Sequence, residues 1–178
     1  MSTMLILRGN SGSYQDEAGK AHNYKNGALH EGAAKDFAMR KSATRKSYTP
    51  KVLDVSGDAK PPARDAPPGK DGKQHGTRQD SPQTVLALAA FRDDDSITAF
   101  YGFSGGGYNL WWILKKMTPE ERSRVELVVV VGVDNDRPRS EYEASKFPGG
   151  KWDLIYRPNP PKGHMFEPEA LLAETSGG

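Results

Sequence analysis

The run VELVVVVGV, Val125–Val133, constrains this chain more than any other stretch. β-Branched residues follow one another without the polar alternation of a half-solvated strand, so both faces of the strand must be covered. Such strands belong at the centre of parallel sheets, and parallel neighbours need crossover connections that are usually helical. The rest of the chain supplies strands and helices in alternation. Met4–Leu7 is an apolar run, followed by the turn-rich RGNSGS of Arg8–Ser13. Leu29, Ala33 and Phe37, with the aliphatic stem of Arg40, fall near helical spacing. Val52, Leu53 and Val55, bounded by Pro50 and Gly57, read as a short strand. Ser81 caps a helix with Pro82 at its first position and Val85, Leu86, Leu88, Ala89 and Phe91 on its apolar face. SITAFYGF reads as a strand and NLWWILKKM as a helix, with Trp111 and Trp112 assigned to core and sheet packing. Thr118, Pro119 and Glu121 form a capping-box start for a further helical turn. A polar helix or loop through Ser145, a last strand in KWDLIYRP and a closing helix in PEALLAE complete the series.

Alternation at this spacing predicts an α/β three-layer sandwich, with a mostly parallel central sheet of about five or six strands and helices on both faces. The 178 residues are sized for one domain, 1–178. Its one interruption is a surface loop at about 59–80, where prolines and glycines alternate with charges and large apolar side chains are absent. In sheets of this kind chemistry gathers at the carboxyl ends of the strands. The residues to search therefore follow Leu7, Val55, Phe103, Val133 and Arg157.

Composition excludes several chemistries. The absence of cysteine removes disulfides, thiolate metal sites and cysteine nucleophiles. Mean hydropathy is −0.73, and no apolar run approaches the roughly 20 residues of a membrane helix. MSTMLILRGN has neither a basic n-region nor a small-residue cleavage site, so it reads as a strand and not a signal peptide, and a cytoplasmic location is expected. A net charge of +2 argues against a dedicated nucleic-acid binder. Residues 1–80 carry +5 and the remainder −3, which reads as solvated surface. His30-Glu31 lacks a second histidine at helical spacing, so no metal site and no cofactor is expected.

At one strand end the chain places Gly102-Phe103-Ser104-Gly105-Gly106, a G-x-S-x-G pattern in a strand-turn-helix context. Small residues two before and two after the serine let the backbone turn sharply and raise the hydroxyl above the sheet. Gly107, beyond the pattern, is assigned only to close packing of helix on sheet. The competing reading is a Gly-rich turn whose helix N-terminus binds phosphate, although neither G-x-G-x-x-G nor the P-loop pattern is present. A serine hydroxyl needs a base, usually an imidazole oriented by a carboxylate. Of the four histidines, His22 and His30 lie early and His75 lies in the Pro/Gly-rich loop, whereas His164 follows the last strand. Asp134 ends the central strand and Asp136 stands two residues on; both are candidate acids, with Asp134 favoured because the sheet positions it. The order Ser104, Asp134, His164 is that of the α/β-hydrolases.

On the elbow around Ser104, the acid at Asp134 and the GHMFEPE segment, the chain resembles a small, capless member of the α/β-hydrolase superfamily. The resemblance spans Met4 to Glu174, and here the acid follows the strand directly after the elbow, one strand earlier than is usual in that family. It implies an oxyanion hole from the Gly105 N–H and a second N–H at Asn10 or Ser11. It also implies a serine esterase or related acyl hydrolase that cleaves carboxylic esters or thioesters of a small or exposed substrate through an acyl-enzyme. Two other classes stay open: a non-catalytic α/β domain binding an anionic or phosphate-bearing ligand at the elbow, and an inactive hydrolase-fold interaction protein. The oligomeric state is open as well.

Overall fold

The computed structural model describes residues 1–9, 13–15, 21–23, 27–57, 78–134 and 136–159. In chain order the strands are β1 (Thr3–Leu7), β2 (Ser13–Gln15), β3 (Ala21–Asn23), β4 (Thr49–Val52), β5 (Ile97–Phe103), β6 (Leu127–Val131) and β7 (Asp153–Arg157). The helices are α1 (Gly27–Met39), α2 (Pro82–Asp93), α3 (Gly105–Lys116), α4 (Pro119–Ser123) and α5 (Arg139–Ala144). Five strands form one sheet in the order β4-β1-β5-β6-β7, and β2 and β3 form a separate antiparallel pair. Every pairing in the main sheet is parallel.

The valine run behaves as its composition dictates. All five residues of β6 are buried, and the strand is hydrogen-bonded on both sides, to β5 and to β7. Alternate side chains divide between two apolar layers. Met4, Ile6, Ala99, Tyr101, Phe103, Val129 and Val131 pack on one face with Ala34, Phe37 and Ala38 of α1. Leu5, Leu7, Phe100, Val128 and Val130 pack on the other with Phe91 of α2, Leu110, Ile113 and Leu114 of α3 and Tyr142 of α5. Each fully buried aliphatic side chain of this kind stabilises the fold by about 1.5–3 kcal/mol. The result is the expected three-layer α/β arrangement.

Three local expectations shift. The strand expected over Val52–Val55 is β4, Thr49–Val52, and Pro50 lies inside it instead of bounding it. Proline is tolerated there because β4 is an edge strand, where a missing N–H leaves no ladder bond unmade. The RGNSGS loop ends sooner than expected, since Ser13 opens β2. The helix after β5 begins at Gly105, four residues before Asn109, because the three glycines form its first turn. Ser81 and Thr118 cap α2 and α4 as expected, the latter in a complete capping box with Glu121. The segment 160–178, with its expected closing helix, and most of the Pro/Gly-rich loop lie outside the described residues; Arg78–Asp80 at that loop's end form a 3-10 turn. Among the described residues no helix is long and apolar enough to cross a membrane.

Numbered within the main sheet alone, the strand order is 2-1-3-4-5. The order reverses between β1 and β5. At such a switch point the loops leaving the two strands diverge and open a crevice at their carboxyl ends. Arg8 and Gly9 leave β1 there, and Ser104 leaves β5.

Candidate functional site at the switch point

Ser104 has φ 51° and ψ −118° and is the only described non-glycine residue with positive φ. These angles are those of the first central residue of a type II′ turn, a position dominated by glycine. A side chain held there costs on the order of 1–3 kcal/mol and persists only where the surroundings impose it. The surroundings do so through the backbone. Ser104 N donates to Val131 O of β6 at 2.8 Å, and Ser104 O accepts from Gly107 N at 2.9 Å and Tyr108 N at 3.2 Å, which starts α3. The serine side chain makes no capping bond to the helix and is half-buried.

The glycines around it make a close approach of three backbone segments possible. A Cβ on Gly106 would stand 2.5 Å from Leu7 O and 2.6 Å from Arg8 O, and one on Gly102 would stand 2.7 Å from Gly106 O. Gly57, after β4, meets the same point: its Cβ would lie 2.6 Å from both Arg8 O and Gly106 N. Gly107 now has a specific reason, since a Cβ there would lie 2.8 Å from Val133 Cγ1. The chain therefore brings the ends of β1, β4 and β5 within less than one methyl group of each other.

A buried polar network holds this junction. Gln83 and Asn109 are both fully buried. Gln83 Nε2 donates to Arg8 O at 2.9 Å and Val55 O at 3.1 Å, while Asn109 Nδ2 donates to Gln83 Oε1 at 2.9 Å and Gly57 O at 3.2 Å. Arg78 closes the network, donating to Gly57 O at 2.7 Å and to Gly105 O and Asn109 Oδ1 at 3.3 Å. Satisfied amides in a low-dielectric interior fix the loops they bond more firmly than the same contacts in water. Arg8, at the rim, is countered by Glu31 at 3.1 Å and Asp54 at 2.6 Å.

Both candidate acids stand at the end of the neighbouring strand. Asp134 N donates to Tyr108 Oη at 2.8 Å, and Tyr108 Oη donates to Asp136 Oδ1 at 3.0 Å. Burial raises the Tyr108 phenol above its ordinary range, which keeps it a proton donor. Asp134 Oδ1 accepts from Asn159 Nδ2 at 2.9 Å. The structure thus brings Ser104, Gly105, Asp134 and Asp136 to one sheet edge. His164, Asn10 and Ser11 lie outside the described residues, as does His75, and nothing is described of the His22 side chain.

His30 is a core residue. Its ring stacks on Phe103 at 3.6 Å between centroids, its Nε2 lies 2.8 Å from Tyr101 Oη, and burial lowers its pKa to about 4. The folded protein therefore resists protonation that the unfolded chain accepts near pH 6.5. Stability is full above that pH and falls as the pH drops from about 6.5 to 4. Urea unfolding at pH 7 and pH 4 is expected to show about 3 kcal/mol more loss for the wild type than for His30→Phe. Equal losses would mean that His30 is not held neutral.

Trp111 and Trp112 are half-buried, and Trp111 packs against the core as expected. Trp111 Nε1 donates to Glu141 O at 3.2 Å, and Arg137 lies 4.0 Å over the ring. Trp111 also lines a groove of about 220 Å³ with Arg122 and Phe147. Among the described residues no three His, Asp or Glu side chains group as metal ligands. Gln83, Asn109, Tyr108 and Asn159 are the site residues that sequence reasoning missed; a buried asparagine within the apolar YNLWWILKK was the one available signal. The chain matches no protein-family model and no curated protein.

Proposed function

We propose that the protein is a serine hydrolase that cleaves ester or thioester bonds through an acyl-enzyme on Ser104. The observation that carries this reading is the strained φ 51° of Ser104 at a strand-turn-helix junction lined by glycines, at the switch point of the sheet. Strain of this kind is retained where it aims a side chain. In this reading Ser104 Oγ attacks the carbonyl carbon, His164 takes its proton, and Asp134 stabilises the imidazolium. The Gly105 N–H and an N–H from the loop after β1, at Asn10 or Ser11, hold the oxyanion; each such donor is worth about 3 kcal/mol in the transition state. His164 then protonates the leaving alcohol or thiol, and water releases the acyl group by the reverse proton path. Arg8 and Gly9 lead into that loop, and the Gln83 bond to Arg8 O fixes where it departs. In the anion-cradle alternative only the Gly105 and Gly106 N–H groups would be offered to a ligand, since Ser104 O takes those of Gly107 and Tyr108.

Hydrolysis of p-nitrophenyl acetate tests the reading. An acyl-enzyme gives a burst of p-nitrophenol equal to the enzyme concentration, followed by slower turnover; a rate equal to buffer alone would remove the proposal. The acid assignment has its own test. Asp134→Asn is expected to lower turnover by about 10⁴-fold, the order seen when a triad carboxylate is neutralised, and Asp136→Asn by less than about tenfold. Equal rates in the two variants would mean that neither carboxylate orients the base.

A further inference from the structure

Asn159 follows β7 and is tied three times to the end of β6. Its backbone N–H donates to Val133 O at 2.8 Å, and its Nδ2 donates both to Gly132 O at 3.0 Å and to Asp134 Oδ1 at 2.9 Å. A carbonyl and a carboxylate are acceptors only, so turning the amide over would set oxygen against oxygen twice. The amide orientation is thereby fixed. Asn159 Oδ1 is enclosed and has no hydrogen-bond partner, so no bond on that side competes with the two that Nδ2 makes. Asp134 is exposed and, left to itself, would sample several rotamers. The Asn159 bond holds one carboxylate oxygen and leaves the other to orient a base. Asp136 also takes one side-chain bond, from the Tyr108 hydroxyl at 3.0 Å, but that donor stands on α3, so of the two carboxylates only Asp134 is tied to the end of β7.

We propose that Asn159 is a positioning residue for the Asp134 carboxylate, clamping it to the end of the neighbouring strand so that it meets the catalytic base in one geometry. The inference rests on the serine-hydrolase reading and adds to it a residue that selects Asp134 over Asp136. A residue that only knits β6 to β7 would act the same way whatever stood at position 134, and this difference is measurable.

The experiment is a double-mutant cycle read by the second-order rate of inactivation with a fluorophosphonate, with thermal melting of each variant as a control for folding. Asn159→Leu is expected to slow inactivation by about tenfold in the wild type and in Asp136→Asn, and to have no further effect in Asp134→Asn. Asn159→Asp, which replaces the donor by a like charge, is expected to slow it at least as much. Should the leucine variant fail to fold, Asn159→Ser, too short to reach the carboxylate, serves in its place. The same fold-slowing in the Asp134→Asn background as in the wild type would overturn the inference and leave the serine-hydrolase reading standing. Failure of the wild type to react, or equal reaction of Ser104→Ala, would take down both.

Discussion

Ser104→Gly is expected to make the protein more stable and inactive in one step. Glycine adopts φ 51° and ψ −118° without a Cβ clash, so the substitution releases the strain stored at the elbow. Part of that gain is offset by the greater freedom of glycine in the unfolded chain, leaving a net of about 1 kcal/mol. For a chain of this length the melting temperature should rise by about 2–4 °C. Ester turnover should fall by at least about 10⁴-fold, because no other group can take over the nucleophile's role. Ser104→Ala separates the two effects: it keeps the strained Cβ, so it should lose turnover without gaining stability. A glycine variant no more stable than the alanine variant would show that the backbone at residue 104 is not under strain.

Gly106→Ala is expected to be the most damaging single methyl group at the switch point of the sheet. Its Cβ would stand 2.5 Å from Leu7 O and 2.6 Å from Arg8 O. Both obstacles are backbone atoms at the end of β1, and no side chain can rotate away to relieve them. Either α3 must lift from the sheet or the end of β1 must move, at a cost of about 3 kcal/mol. That corresponds to a fall of about 6–12 °C in melting temperature. Gly32→Ala is the control, since nothing lies within 4 Å of its Cβ on the exposed side of α1. Alanine there should stabilise the protein by about 0.5–1 kcal/mol through helix propensity. Similar melting temperatures for the two variants would contradict the close approach of β1, β4 and α3.

The parts of this structure that were legible in the sequence are those that local patterns control. An uninterrupted valine run can be covered only from both sides, and β6 is accordingly central and wholly buried. Ser81 and Thr118 cap helices because their side chains reach N–H groups three residues on. The elbow was legible because a serine among glycines between strand and helix answers a backbone need. What was not legible depends on partners distant in sequence. Pro50 looks like a boundary until the strand containing it is known to be an edge. The bond from Gln83 to Arg8 O spans 75 positions and that from Asn159 to Asp134 spans 25. No spacing rule announces such pairs, because the sheet brings them together. Gly107 is intermediate: its smallness was evident, and the Val133 methyl it accommodates was not.

The central claim is that Ser104 is the nucleophile, and its most direct test is to find where a mechanism-based reagent attaches. Wild-type protein treated with a fluorophosphonate, digested and sequenced by tandem mass spectrometry should carry one adduct, on Ser104 in the peptide containing YGFSGGGYNLWW. Unfolding the protein before treatment should abolish the adduct, since the serine is activated only by its folded surroundings. No adduct on the folded wild type, or an adduct on another residue with Ser104 unmodified, would contradict the account.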